Sequence, residues 1–221
     1  MKIFGFDFSI AKPAMCYYNT ETKDMKFYCW PQGIDKKTEE KLSEADIVVT
    51  NRNLLPMSKK NYPNNNSMVL ENTKRAAELS DMIAETIGNL TLSTPMEDVY
   101  VCSEGLAFNS KGNQTLDLSG YKCAMLTTLY KMGVRNIYTY TPVTIKSTAG
   151  VSKGNHYEKD YMIQALKETN PSAHKFVHTL VYDEPSLKKM TAYVPCVDDL
   201  TDAYWTVRTF LERDKKLYIL S

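Results

Sequence analysis

The sequence lacks several features that would assign it to a particular class of protein. Its 221 residues carry a formal net charge of +1, so any surface that binds nucleic acid must be a local concentration of basic residues. The five cysteines include no C-x-x-C pair and lie mostly in apolar runs. This argues against a zinc site and favours reduced, buried thiols in an intracellular protein. No apolar run is long enough to span a bilayer, and no signal peptide precedes the apolar segment at residues 2–8.

The remaining composition is that of an ordinary globular protein. Apolar residues make up 43% of the chain and charged residues 24%, which is sufficient for a real core. The length suits one domain spanning residues 1–221, without internal repeats or low-complexity segments. The abundance of lysine, asparagine and tyrosine is typical of an A·T-rich genome, such as that of a phage or virus. A cytoplasmic location is expected.

Apolar periodicity and turn residues predict an α/β fold. Strands are predicted at residues 2–8, 14–18, 24–30, 98–104 and 136–140, with a shorter candidate at 46–50. Helices are predicted at residues 36–44, 67–89, 114–132, from Pro142 onward, 156–168 and 197–213. This order indicates a mixed five-stranded sheet with helices on both faces. Residues 31–66 are interpreted as an insertion or an extended β arm.

Four carboxylates are predicted to lie at the ends of these elements. Asp7 ends the first strand, Glu104 ends the strand at 98–104, and Asp199 and Asp202 lie at the start of the last helix. Residues three apart share a helix face, so Asp199 and Asp202 can point at one site. If the strands of Asp7 and Glu104 are neighbours, those two carboxylates emerge on one rim of the sheet.

A cluster of carboxylates repels itself unless a cation holds it. Ligand sets made only of oxygen suit Mg²⁺ or Mn²⁺ rather than zinc. Two such ions about 4 Å apart can activate a water and stabilise the leaving oxygen in phosphodiester hydrolysis. The sequence therefore predicts a metal-dependent enzyme of phosphate chemistry, with two Mg²⁺ ions per active site.

Each carboxylate taken singly also has a simpler structural interpretation. Asp198 or Asp199 can cap the last helix after Pro195, and Asp7 can form an Asx turn with Ser9. Glu104 can be a satisfied residue at a strand end. Only the joint placement of the four favours a metal site.

Several segments, in this order along the chain, resemble the RuvC family of Holliday junction resolvases, which has the ribonuclease H-like fold. Gly5–Ser9 resembles the family's Gly-hydrophobic-Asp-Pro-Gly opening, with Phe8 and Ser9 replacing Pro and Gly. Glu104–Phe108 resembles the family's glutamate followed by an aromatic residue, which here comes one position late. The later segments that resemble family motifs are 113–120 (a helix start), 140–146 (Pro-x-x-Val-Lys), 157–160 (Ala-Asp-Lys) and 199–203 (Asp-x-x-Asp-Ala).

The resemblance implies a crossover junction endodeoxyribonuclease of DNA recombination and repair, which hydrolyses phosphodiester bonds symmetrically in four-way junctions. It implies that Asp7, Glu104, Asp199 and Asp202 are the metal ligands. It also implies that Lys159 is the catalytic basic residue near the scissile phosphate.

The resemblance further implies contacts with DNA and with a second copy of the chain. Lys146 would support Lys159, and Phe108 would stack on junction bases. The family acts as a homodimer. Met68, Leu79 and Met82, on the helix before the strand at 98–104, could form part of a dimer face, although core packing explains these residues equally well.

Other basic residues predict further DNA contacts. Lys153 lies with Lys146 and Lys159 around a glycine-containing loop, and Lys111 and Lys122 flank the loop after Glu104. A solvated surface is the alternative for most of them. The three histidines, His156, His174 and His178, are better interpreted as surface residues than as a metal site.

Three classes of function remain open at this point. The first is a junction-resolving endonuclease acting on branched DNA. The second is another ribonuclease H-like nuclease, acting on flaps, other branched DNA or RNA–DNA hybrids. The third is a non-catalytic nucleic-acid-binding protein on the same fold. An actin-like ATPase is disfavoured, because Ser9–Pro13 lacks the glycine-rich turn of a phosphate loop.

Overall fold

A six-stranded mixed sheet forms the centre of the molecule. The computed structural model describes residues 1–55, 57–58, 60–105, 113–151, 158–170, 180–182 and 192–215. The sheet has the strand order β4-β3-β2-β1-β5-β6. Its strands are β1 Lys2–Asp7, β2 Ala14–Asn19, β3 Met25–Cys29, β4 Ile47–Val49, β5 Val99–Glu104 and β6 Asn136–Tyr140. A separate antiparallel pair consists of β7 Val181–Tyr182 and β8 Ala192–Tyr193.

The helices lie close to their predicted positions. They are α1 Lys36–Glu44, α2 Asn65–Leu90, α3 Asn113–Lys131, α4 Pro142–Thr148, α5 Glu158–Thr169 and α6 Val197–Arg213. Helix α2 starts two residues earlier than predicted, because Asn64 and Ser67 form a reciprocal capping box. It ends at Leu90, one residue beyond the predicted end. Among the described residues, no helix is long and apolar enough to cross a membrane.

The sheet has one strand more than the five predicted. Strands β1, β2 and β3 form the expected antiparallel meander, and β5 and β6 run parallel to β1 and to each other. The additional strand is β4, which lies within the short candidate at 46–50. It pairs in parallel with β3 at the edge of the sheet, where Phe27 lies opposite Ile47. A three-residue strand carries too little alternation for its pairing to be predicted.

Apolar residues fill both faces of the sheet and form two core layers. Phe4 and Phe6 of β1 face the layer covered by α2 and α3. Ile3 of the same strand faces the opposite layer, which contains residues of α1, α4, α5 and α6. Successive side chains of a strand point to opposite faces, so the odd-numbered residues of β1 face α6.

Gly5 allows α6 to lie directly against β1. A Cβ at this position would lie 2.5 Å from the carbonyl oxygen of Ala203 and 2.5 Å from Cγ2 of Val207. These distances are too short for any side chain, so only glycine permits this approach. The close contact brings the first turns of α6 towards the end of β1.

Helix α6 is buried on nearly all sides. Its buried residues include Leu200, Tyr204, Trp205 and Phe210, and the Trp205 indole N–H donates to the carbonyl oxygen of Met162 in α5. The hydroxyls of its buried threonines donate to carbonyl oxygens one turn earlier, which satisfies groups that would be costly to bury unpaired.

A buried arginine fixes the segment that follows β4. Arg52 is only 6% exposed, and its guanidinium donates to the carbonyl oxygens of Trp30 and Ile10, each at 2.8 Å. This arginine therefore connects the region after β4 to the turn between β1 and β2, which follows Asp7.

Candidate active site

Asp7 and Glu104 lie side by side at one end of the sheet. Strands β1 and β5 are parallel neighbours, and their register pairs Phe6 with Ser103. One residue further along, Asp7 and Glu104 end the two strands. Asp7 shares its strand face with Ile3 and Gly5, and Glu104 shares its face with the buried Cys102, so both point towards the layer of α6.

The first turns of α6 supply the other two carboxylates. The N-cap residue of this helix is Cys196, which has φ +78° and makes no side-chain capping bond. The capping role considered for Asp198 or Asp199 is therefore wrong, because both residues already belong to the first turn. Asp199 and Asp202, three residues apart, lie on the side of α6 that faces Asp7 and Glu104.

The four carboxylates line one common cavity. It has a volume of about 410 Å³, and its lining residues are Asp7, Phe8, Ser9, Glu104, Lys146, Lys159, Met162, Asp199 and Asp202. The four predicted carboxylates and two of the predicted lysines thus come together, although they derive from five separate segments of the sequence.

The carboxyl groups hold their protons more tightly than isolated ones. Burial raises the pKa of Asp7 well above its usual value, and the charges of Asp202, Asp199 and Glu104 raise it further. Burial also raises the pKa of Asp202 to about 8 and that of Asp199 to about 7. Asp7 and Asp199 share a hydrogen bond. Burial and the repulsion between neighbouring carboxylates thus favour the protonated form of these groups unless a cation compensates their charge.

Lys159 and Lys146 bring positive charge to this cavity. Nζ of Lys159 lies 2.7 Å from Oδ2 of Asp198, the residue before Asp199. Burial raises the pKa of Glu104, and the charges of Lys146, Lys122 and Lys159 oppose that rise. Lys146 and Lys159, which the sequence predicted to take part in phosphodiester hydrolysis, thus both line the cavity together with the four carboxylates. The ion pair with Asp198 could not be inferred, because the two residues are 39 positions apart.

Lys122 is a buried lysine beside the site that the sequence identified only as flanking the loop after Glu104. It is 7% exposed. Its Nζ donates to the carbonyl oxygen of Glu104 at 2.6 Å and lies 6.0 Å from the ring centre of Phe8. Lys122 thus fixes the end of β5 from the side of α3 and is not a solvated residue.

The donor set of the cavity fits a hard divalent cation. Its four acidic groups offer only oxygen, which Mg²⁺ and Mn²⁺ prefer, and burial raises the pKa of each of them. Among the described residues, no three His, Cys, Asp or Glu side chains have the arrangement of a formed metal site. The four carboxylates line one cavity, in which Asp7 and Asp199 share a hydrogen bond.

Some predicted residues lie outside the described part of the chain. They are Phe108, Lys111 and Lys153, together with His156, His174 and His178. On helix α2, Leu79 is 4% exposed and belongs to the core, and Met82 packs against that core, so core packing accounts for both. The large exposed apolar residues of α2 are Val69 and Leu70.

The architecture is similar to that of Thermus thermophilus RuvC. That structure matches with 15% sequence identity over 98% of this chain and 96% of that chain, with a TM-score of 0.53. A structure of T. thermophilus RuvC in complex with Holliday junction substrate matches with 13% identity over the same shares of both chains, with a TM-score of 0.46. No protein-family model and no curated protein matches the sequence. The first likeness confirms the predicted ribonuclease H-like fold.

Proposed function

We propose that this protein is a metal-dependent endonuclease that cleaves branched DNA, with the four-way junction as its substrate. The observation that carries this proposal is the cavity in which Asp7, Glu104, Asp199 and Asp202 meet Lys146 and Lys159. Two further points support it: the RuvC-like fold and the order of the RuvC-like segments along the sequence.

Each side chain has a distinct task in the proposed reaction. Asp7, Glu104, Asp199 and Asp202 would hold the metal, and their oxygens would also orient a water for attack on phosphorus. The ammonium of Lys159 would donate to an oxygen of the scissile phosphate, where negative charge increases in the transition state. Lys146 would add positive charge on the Glu104 side of the cavity.

A pair of Mg²⁺ or Mn²⁺ ions would lower the pKa of the attacking water and stabilise the leaving oxygen. The protein's own contribution is a rigid frame for the ligands. Asp7 and Glu104 end two paired strands. The other two ligands lie on the buried helix α6, which packs closely against β1 at Gly5. Products with 5′-phosphate and 3′-hydroxyl ends are expected from the resemblance to the resolvase family.

The proposal includes a homodimer, because symmetric cleavage of a four-way junction requires two active sites. Each copy would cut one of two opposite strands. Val69 and Leu70, which are 65% and 72% exposed on α2, are apolar residues available for such a contact.

The decisive variant is Asp7→Asn. It removes one carboxylate without changing side-chain size, so cleavage of a synthetic four-way junction in Mg²⁺ should be abolished while junction binding in EDTA persists. Asp24→Asn is the matched control, because Asp24 is an exposed aspartate in the turn between β2 and β3, at the opposite end of the sheet. Full cleavage by Asp7→Asn would refute the assigned site.

A panel of substrates separates the junction from the other nucleic acids that this fold can process. The wild type should cut a four-way junction faster than a flap, a linear duplex or an RNA–DNA hybrid of the same sequence. A preference for the flap or the hybrid would redirect the proposal to another ribonuclease H-like nuclease. Metal-independent binding with no cleavage of any of these substrates would favour a non-catalytic binding protein.

A further inference from the structure

The ion pair between Asp198 and Lys159 joins the two helices that border the cavity. Lys159 is the second residue of α5, where the positive end of the helix dipole disfavours a cation. Asp198 lies in the first turn of α6, where the dipole favours an anion. Their side-chain atoms Nζ and Oδ2 are 2.7 Å apart. The carboxylate therefore supplies a counter-charge to Lys159 at a position where the dipole of α5 disfavours a cation.

The two members of this pair are unequally exposed. The side chain of Asp198 is 17% exposed and that of Lys159 is 58% exposed. A largely buried carboxylate is costly to leave unpaired, so the ion pair with Lys159 is favoured over an unpaired Asp198. Lys159 remains open to the cavity, and an ammonium group has three donors, of which this bond uses one.

We propose that Asp198 is a positioning residue that holds the ammonium of Lys159 at the cavity. A lysine side chain has four rotatable bonds and considerable rotamer entropy. Anchoring its tip to a buried carboxylate removes most of that freedom before substrate arrives, which is how preorganisation accelerates a reaction. This inference rests on the proposed nuclease function and assigns a role to a carboxylate that is not among the four predicted metal ligands.

The same geometry allows two competing roles, and each predicts a different result. If Asp198 competed with the substrate phosphate for Lys159, removing its charge would accelerate cleavage. If the pair only stabilised the fold, removing the charge would lower the melting temperature and leave the cleavage rate unchanged. A positioning role predicts a slower reaction that depends on the presence of Lys159.

The test is a double-mutant cycle on single-turnover cleavage of a four-way junction in saturating Mg²⁺. Asp198→Asn should slow the rate about 10-fold, as typically follows the loss of a partner that orients a reactive group, with little change in junction affinity. Lys159→Met should slow it further, and adding Asp198→Asn to Lys159→Met should cost nothing more. Lys159→Arg, which can still bind Asp198, should retain more activity than Lys159→Met.

Glu78→Gln is the matched control, because it breaks an exposed ion pair with Lys74 on α2 and should not alter the rate. Equal slowing by Asp198→Asn with and without Lys159 would overturn the inference, since Asp198 would then act on another group. Acceleration by Asp198→Asn, or an unchanged rate with a lower melting temperature, would also overturn it. If the asparagine variant does not fold, Asp198→Ser, which also removes the charge and keeps a small polar side chain, provides the same comparison.

A second readout tests the contact without any cleavage. Amine acylation resolved by mass spectrometry should show Lys159 reacting several-fold faster in Asp198→Asn than in the wild type, with Lys74 as the internal reference. Unchanged reactivity of Lys159 would overturn the inference even in an active enzyme. If the wild type cuts no branched DNA, the proposed function fails, and the acylation result still decides whether Asp198 anchors Lys159.

Discussion

At the scale of single residues, the site depends on the lack of a side chain at Gly5. The glycine at position 5 lets the backbone of α6 approach β1, and α6 carries two of the four carboxylates. The sequence shows a glycine inside an apolar strand, which by itself suggests only a weakened strand or a close backbone approach. Which segment approaches it becomes evident only from the packing of residues almost 200 positions away.

Gly5→Ala should therefore damage both stability and activity. The new methyl group would lie 2.5 Å from the carbonyl oxygen of Ala203, a backbone atom next to Asp202 that cannot rotate away. Overpacking of this kind typically costs about 1–3 kcal/mol, and the displaced helix should lower the cleavage rate. Urea denaturation and junction cleavage measure the two effects.

Gly120→Ala is the matched control for that variant. Gly120 lies within helix α3, and a Cβ there meets nothing within 4 Å, so alanine should stabilise the helix by up to about 1 kcal/mol. Similar stability changes in both variants would contradict the close packing described for Gly5.

At the scale of secondary-structure elements, the segment after β4 is held by backbone hydrogen bonds to the chain after β3, including a β-bridge between Gln32 and Arg52, and by the guanidinium of Arg52. Arg52→Met should leave the buried carbonyl oxygen of Trp30 and the partly buried one of Ile10 without these donors, at a cost of about 1–3 kcal/mol. Because Ile10 follows Ser9 of the cavity, the cleavage rate should also fall. Arg135→Met, which alters an exposed arginine that stacks on Tyr130, should change the free energy of unfolding by no more than about 1 kcal/mol. Equal midpoints of urea denaturation for the two variants would contradict this role of Arg52.

The elements that hold the carboxylates were predictable, and their tertiary contacts were not. Apolar runs that end in Asp7 and Glu104 identify the strand ends, and the i, i+3 spacing identifies the shared face of Asp199 and Asp202. These signals are local. The parallel pairing of β4, the burial of Arg52 and the contact between Lys159 and Asp198 depend on segments that meet only in the folded chain, and arginine and lysine are seldom buried.

At the scale of the whole molecule, the buried carboxyl groups of the cavity should make stability depend on pH and on metal. The pKa of Asp202 is about 8 in the folded protein and about 3.9 in an unfolded chain. The folded state therefore binds the proton more tightly, so stability falls as pH rises from about 4 to about 8. In EDTA, the melting temperature should be higher at pH 6 than at pH 8.5.

Added Mg²⁺ should reverse this loss. Metal binds the deprotonated carboxylates and stabilises only the folded state, so the rise in melting temperature should be larger at pH 8.5 than at pH 6. Asp202→Asn should weaken both the pH dependence in EDTA and the response to Mg²⁺. A metal response that is equal at the two pH values would contradict a cation site formed by these groups.

The position of α6 in the chain has a consequence for synthesis. Strands β1 and β5 are complete by Glu104, whereas α6 begins at Val197, which a ribosome reaches several seconds later at about 5–20 residues per second. Until α6 has been made, that helix does not cover Gly5, and Asp7 and Glu104 are present without Asp199 and Asp202. If the protein is the proposed nuclease, we expect cleavage only after nearly all of the described chain has been made, because a partial chain lacks Asp199 and Asp202.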